Sequence, residues 1–373
     1  MGDSIILVRK INMIRIASFS RALCCFLLIF PMLFCKEPQS ASQGGEKALT
    51  EWRNQVRSSM AKAGAIPMRK TASFINRNDG INPIFLKMPT RLADDSDGNV
   101  YVLDSGDSRV LKYNAQGQFL FQIGGPGQGP GEFSLPNLLT VIDDKIIVSE
   151  GRSGRVQYFD LSGKYIRSFK KFSGSYSMVA DSSGRLLFIS RLLGIGNPPL
   201  IDVLDADGSL LFSYGRRPLN GEFTVLNTAA MDLDSEGNLL VAFRLLSILH
   251  KYSYSGELIK EIAIKDETLK KGEQYNLQML RAPKPARNKY YSITIQSVRA
   301  FGDRIFILAP GQPCLRILEL SMNGELSNVY YWDGNPLYDA RDILVHRSAK
   351  GLILFLLQTN PDYDVDIFDI DES

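Results

Sequence analysis

Six positions hold the best case for chemistry in this chain. Asp104, Glu150, Arg191, Arg244, Pro310 and Gln358 fall at equivalent ends of strand-like runs in a pattern that recurs along the sequence. Two neighbouring carboxylates followed by two guanidinium groups would make a mouth acidic on one side and basic on the other. Such a mouth suits a zwitterionic or mixed-charge ligand. A plainer reading pairs Asp104 and Glu150 with the nearby Arg109, Arg152 and Arg155 as rim salt bridges. Zinc is built from His and Cys ligands, and the chain has two histidines, His250 and His346, both inside strand-like runs where packing or a surface place is expected. Arginines at the equivalent positions oppose a dication beside Asp104 and Glu150. No catalytic residue, metal or cofactor is therefore assigned, and no Ser-His-Asp set can be nominated without geometry.

The glycine-rich run Gly124–Gly131 invites a phosphate-loop reading. It lacks the Gly-Lys-Ser/Thr ending and no helical pattern follows, so a junction between structural units is the expectation. Cys314 stands alone in the body, in Gln312-Pro313-Cys314-Leu315, which leaves no disulfide framework there. A small, buried and inert thiol is expected.

What must position these residues is a repeat. The stretch Pro89 to Phe133 contains an apolar lead-in, a turn at Asp97-Gly98, the run Asn99 to Leu103 and the run Arg109 to Tyr113. A turn at Gln116-Gly117, the run Gln118 to Ile123 and the glycine-rich exit complete it. Alternating valine, tyrosine and phenylalanine between such turns predict four short strands joined by hairpins. Related units follow around Leu138 to Phe169, Ser183 to Tyr214, Glu236 to Ile262 and Gly302 to Tyr331. A sixth unit starts near Asp342 and ends with Val365 to Ile370. Repeated four-stranded units predict an all-β, six-bladed β-propeller. The sixth unit has only three strands, and a closed ring cannot leave an edge unpaired. A strand from within the stretch between about Met68 and Ile84 is expected to complete it, which requires residues 66–84 to lie beside 363–370.

Residues Gly124 to Phe133 with Leu135-Pro136, and the Asp-x-x-Gly-x-Val-Tyr-Val-Leu-Asp-x-x-x-x-Arg-Val run from Asp95, resemble the blade junction and repeat of NHL-repeat propellers. The likeness covers roughly residues 89 to 260, with an echo at Gly221-Glu222-Phe223, and implies fold far more than function. Lyases of that kind use histidine-bound zinc, for which this chain lacks the residues. Gluconolactonase-like propellers use carboxylate and asparagine ligands for calcium around the channel, so a lactonase-like hydrolase or lyase is the alternative to a binding module.

Composition narrows the partner. The chain has 373 residues, 45% hydrophobic and 22% charged, with a formal net charge of +3. Arg9, Lys10, Arg15 and Arg21 against Asp3 account for that excess, leaving 39 basic and 39 acidic residues from Cys35 onward. A neutral body offers no electrostatic case for nucleic acid, whose binding rests on phosphate neutralisation. The basic residues precede an apolar run, Ala22 to Phe34, with the length of a signal h-region. Cys35 and the small polar spacer from Lys36 to Gly45 follow. This arrangement resembles a bacterial lipoprotein signal peptide, which implies export and lipidation at Cys35, although Phe34 and Met32 depart from the usual small residue and leucine.

The expected organisation is a signal and lipid anchor at 1–35, a linker with a short helix at 36–65, and the propeller at 66–373. An insertion at Lys265 to Tyr290, with a helix around Glu267 to Leu280 and four basic residues in 281–289, is expected on the mouth face. The function expected is a cell-envelope lipoprotein, membrane-anchored and more a binder than an enzyme. It would hold a protein, peptide or glycan through its loop face at Asp104, Glu150, Arg191, Arg244 and Gln358.

Overall fold

The computed structural model describes residues 43–73, 84–151, 153–171, 175–189, 198–221, 223–282, 290–310, 313–335, 337–349, 351–360 and 362–371. A recurrent aspartate before several of the turns explains why the strands that follow begin where they do. Asp95 Oδ1 accepts the backbone N–H groups of Asp97 and Asn99 at 3.1 and 2.9 Å. Asp181 and Asp205, at two turns of the third unit, and Asp234 in the fourth repeat the geometry. One short side chain thus satisfies two turn donors. The turn then needs a residue in the left-handed region, supplied at Gly98 and Gly237, both at φ 78°.

These turns generate six antiparallel blades. Blade 1 is Pro89–Asp94, Val100–Asp104, Arg109–Tyr113 and Phe119–Gly124. Blade 2 is Pro136–Ile142, Lys145–Glu150, Arg155–Asp160 and Tyr165–Lys170. Blade 3 is Met178–Ala180, Leu186–Ile189, Ile201–Leu204 and Leu210–Tyr214. Blade 4 is Ala229–Leu233, Leu239–Phe243, Ile248–Tyr252 and Leu258–Ala263. Blade 5 contains Ser297–Phe301, Arg304–Ala309, Leu315–Ser321 and Leu326–Trp332, and blade 6 contains Asp339–Ser348, Gly351–Asn360 and Asp364–Asp371. The first strands pack against one another all the way round, the first strand of blade 6 lying against that of blade 1. The fold is an all-β six-bladed propeller whose axis is walled by six first strands.

The N-terminal segment closes the ring, as the three-stranded sixth unit requires. Arg69–Ser73 pairs antiparallel with Asp364–Asp371, in the register Arg69 with Asp369 and Ser73 with Asp366. Lys70 Nζ lies 2.8 Å from the buried Asp366 carboxylate. Just before it, Ile66 and Pro67 run parallel to Tyr330 and Tyr331. Blade 5 therefore has a fifth strand that the repeat pattern gave no sign of, and one short segment fastens two blades.

Apolar side chains fill each seam between blades. Leu92, Val100 and Val102 of blade 1 meet Leu344, Phe355 and Leu357 of blade 6. Ile123 and Phe133 meet Leu139, Ile146 and Phe159. Met68 joins the seam between blades 5 and 6. Full burial of one such side chain stabilises the fold by roughly 1.5–3 kcal/mol.

The glycine-rich run is the link from blade 1 to blade 2. The Phe133 ring occupies the space where a Cβ at Gly124 would stand, at 2.2 Å, and Gly124 has φ 80°. Arg155 ties the loop down by donating to the carbonyls of Gln128, Gly129 and Glu132. Helix α1 (Gln43–Lys62) lays Val56 and Met60 over Cys314 and Tyr331 of blade 5, and Arg53 reaches the Gly334 carbonyl at 2.8 Å. Burial pushes the Cys314 thiol up to about 11. Among the described residues no helix is long and apolar enough to cross a membrane.

Candidate functional site

Because the first strands wall the axis, side chains on them decide what the channel can hold. A cavity of about 570 Å³ opens there, lined from every blade. At the end where second strands turn into third strands, its wall includes Arg91, Arg244, Gln296 and Arg341. Asp232, Arg299 and Asp342 come next, and Asp94, His346 and Arg347 line the opposite end.

The three mouth arginines and Arg299 behind them differ in how they are engaged. Arg299 Nη2 sits 3.0 Å from both oxygens of Asp342. Asp342 also accepts from Leu92 N at 3.0 Å and from Ser297 Oγ at 2.5 Å, so this pair belongs to the wall. Among the described residues Arg91 donates to the carbonyls of Thr90 and Tyr176 alone. Arg244 Nη2 donates to the Gln296 side-chain oxygen at 2.6 Å. Arg341 makes no hydrogen bond or ion pair with another described residue. Among the described residues Arg91 and Arg244 thus have hydrogen bonds to neutral acceptors and no ion pair, although Asp342 acts on both electrostatically.

The electrostatics agree with that inventory. Burial, then the charges of Arg91 and Arg341, push the Arg244 guanidinium down to about 9. Burial, with Arg341 and Arg299 nearby, lowers Arg91 too. A guanidinium stays protonated at neutral pH, so the direction measures how much these charges would gain from an anion beside them. Asp232 lies deeper. Burial raises its carboxyl to about 6, although Arg299 and the Ala300 N–H at 2.8 Å favour the charged form.

The Arg244 loop is held from behind. Helix α2 (Glu267–Arg281) begins at Asp266, whose carboxylate caps Thr268 N and Leu269 N and pairs with the buried Arg316 at 2.8 Å. From α2, Asn276 donates to the Leu245 and Ser292 carbonyls, and Glu273 accepts from the Ser247 hydroxyl. Thr294 donates to the carbonyls of Arg244 and Leu246. The insertion therefore carries the expected helix and braces the loop beside the mouth.

The register separates the residues that the sequence grouped. Pro89 faces Asp104, Pro136 faces Glu150, and Ala229 faces Phe243. Phe243 is thus the counterpart of the two carboxylates, and Arg244 stands one residue further on. In a strand one residue reverses the face. Asp104 is fully buried, held by Met88 N at 2.9 Å and by Arg109. Glu150 is buried against Arg155, Ser153 and Gln157. Neither lines the cavity, whereas Arg244 does. Gln358 is buried in register with Ala340 and Asp364 and also lies off the cavity. Pro310 directly follows the second strand of blade 5, Arg304–Ala309, and does not line the cavity. Arg191, Arg152 and the basic stretch 283–289 lie outside the described residues, as do the signal segment and Cys35.

His250 is buried and bonded to Tyr252 Oη and Glu261, and His346 pairs with Asp94 at 2.9 Å. Among the described residues no three His, Cys, Asp or Glu side chains gather as metal ligands. Arg91, Arg341, Arg299, Asp232 and Asp342 were missed by the sequence reading. A detectable signal existed: charged side chains inside first strands, which otherwise read as apolar lead-ins.

Comparison with known proteins supports the architecture. A family model described as a 6-bladed beta-propeller matches residues 86–195. A 139-residue stretch is 30% identical to the peptidyl-glycine alpha-amidating monooxygenase B of Xenopus laevis, covering 34% of this chain and 15% of that protein. Among solved structures, a Bacteroides fragilis protein proposed to be exported superposes with a TM-score of 0.56 at 12% identity, over 82% of this chain and 96% of the other. A duf4221 family member from Bacteroides vulgatus gives 0.51 at 12%, over 83% and 96%. At such identities these structures define the fold, a six-bladed propeller, and the site must be argued from its own residues.

Proposed function

We propose that this protein is an exported propeller of the cell envelope, anchored through Cys35, that binds an anionic ligand at the arginine-lined mouth of its channel. The observation that carries the reading is that Arg91, Arg244 and Arg341, from three blades, line one cavity with no carboxylate among the described residues bonded to any of them. Buried arginine offers planar, multidentate donors to carboxylate, phosphate or sulfate. The ligand is a small anion or an anionic group presented by a protein, peptide or glycan. The NHL-like repeat of blade 1 goes with a recognition role, because loop faces of propellers vary while the blades persist.

Isothermal titration with sulfate and phosphate, using wild type and Arg244→Ala, tests the binding reading. Saturable binding that Arg244→Ala weakens without unfolding the protein supports it, and identical titrations count against it. The anchor is tested by mass spectrometry of the mature N-terminus from a native host. A diacylated Cys35 is expected, and an unmodified peptide spanning Phe34 and Cys35 rejects it.

A further inference from the structure

We infer that Ser175 and Lys171 form a nucleophile and base pair beside the mouth, competent to cleave a carboxylic ester through an acyl-serine. Lys171 directly follows the fourth strand of blade 2, and Ser175 stands just before the first strand of blade 3. In an antiparallel four-stranded blade the fourth strand ends where the second turns into the third, so this connector lies at the mouth end. Lys171 Nζ and Ser175 Oγ are 2.6 Å apart, the reach that proton transfer between a base and a nucleophile needs.

Both residues are held by their backbones. Lys171 N donates to the Gly154 carbonyl at 2.9 Å, and the Ser175 carbonyl accepts from Asn137 Nδ2 at 3.5 Å. Arg91 donates to the carbonyl of the next residue, Tyr176, at 3.3 Å, and Ser177 lines the cavity. The pair therefore borders the channel mouth. The Lys171 amine lies 4.3 Å from the centroid of the buried Phe188 ring. A ring face attracts an ammonium, but loss of water weighs more. Burial pushes the amine down to about 8, against the attraction of Asp202, which is itself bonded to Ser213 Oγ at 2.7 Å. Near pH 8 a large share of Lys171 is neutral and able to accept a proton.

Protons and bonds balance within the pair. Neutral Lys171 takes the Ser175 hydroxyl proton as Oγ bonds to the acyl carbon. The tetrahedral adduct then expels the alcohol, which leaves with the proton that Lys171 carried. Water attacks the acyl-serine by the same exchange, releasing the carboxylic acid and restoring the hydroxyl.

The test incubates the intact protein with p-nitrophenyl acetate at pH 8 and locates acetyl groups by peptide mass spectrometry. Acetylation of Ser175, faster than in the urea-unfolded chain, is expected. Lys171→Arg keeps a positive charge and a donor for Ser175 but stays protonated. It is expected to slow Ser175 acetylation at least about hundredfold, the lower end of general-base contributions. Lys171→Met, similar in length and uncharged, is expected to show the same loss. Acetylation at Lys171 in place of Ser175 overturns the inference, because the amine is then the nucleophile. Wild-type acetylation of Ser175 in either variant overturns it as well, and so does labelling no faster than in the unfolded chain. None of these outcomes depends on anion binding, so the two readings stand or fall separately.

Discussion

Arg299 of blade 5 and Asp342 of blade 6 form a charged join in the channel wall, one guanidinium nitrogen lying 3.0 Å from both carboxylate oxygens. The same carboxylate accepts Leu92 N from blade 1. One side chain thus ties three consecutive blades at the point where the ring closes. Asp342 is almost fully buried, so removing it would strand a half-buried guanidinium and three further donors, Leu92 N, Ser297 Oγ and Ile343 N. Asp342→Ala is expected to cost about 3–5 kcal/mol, the usual range for breaking a buried ion pair from one side. Urea unfolding measures it, and a loss below about 1 kcal/mol would show that the pair is incidental.

Asp232 gives a pH dependence whose sign can be worked out. Its carboxyl is raised to about 6 from an ordinary value of 3.8, chiefly by burial. The folded state therefore holds a proton more readily than the unfolded one. Between the two values stability falls as pH rises, and above about pH 6 the full cost is present. Asp232→Asn keeps an acceptor for Ala300 N and removes the charge. It is expected to stabilise the protein at pH 7.5, by at most about 3 kcal/mol, and to leave stability near pH 4 almost unchanged. Denaturation at the two pH values checks this, and an equal effect at both would contradict it.

Cys314 reports on helix α1. Its thiol is buried beneath Val56 and Met60 and raised to about 11, so little thiolate exists at neutral pH. Iodoacetamide is expected to leave Cys314 unmodified in the native protein over a time that fully labels the urea-unfolded chain. A double substitution, Val56→Ser with Met60→Ser, is expected to loosen the helix and speed labelling by at least about tenfold, as local opening governs access. Peptide mapping by mass spectrometry reads the outcome. Unchanged labelling in the variant would mean that α1 does not guard the thiol.

Removing residues 43–73 tests closure. It strips the partner from Asp364–Asp371 and from Leu326–Trp332, leaving an open strand edge. Aggregation on size exclusion and loss of a cooperative melt are expected. A monomeric truncation with an unchanged melting temperature would show that the ring does not depend on this segment.

The fold was legible because its signals are local. Asp95, Asp181, Asp205 and Asp234 each announce a turn that their own side chains hold, and a repeat of such turns leaves few architectures open. Even the closing strand could be read, since a three-stranded last unit demands a partner. The site was less legible because it depends on register. Asp104 and Glu150 align with Arg244 by eye, but pairing places Phe243 at their position, and a single residue sends one set into the sheets and the other into the cavity. Asp104 with Arg109 and Glu150 with Arg155 meet as the plainer sequence reading held. Arg91, Arg299 and Arg341 gain their meaning only when strands more than two hundred residues apart meet around the axis.

The most direct measurement is calorimetric titration of phosphate at pH 8 into wild type and into Arg244→Ala, with a melting curve for each. Wild type is expected to bind saturably with one site. Arg244→Ala is expected to bind at least about tenfold more weakly while melting within about 2 °C of wild type, because among the described residues its guanidinium is bonded to Gln296 alone. Equal phosphate affinity in the two proteins would contradict an arginine-lined anion site at the channel mouth.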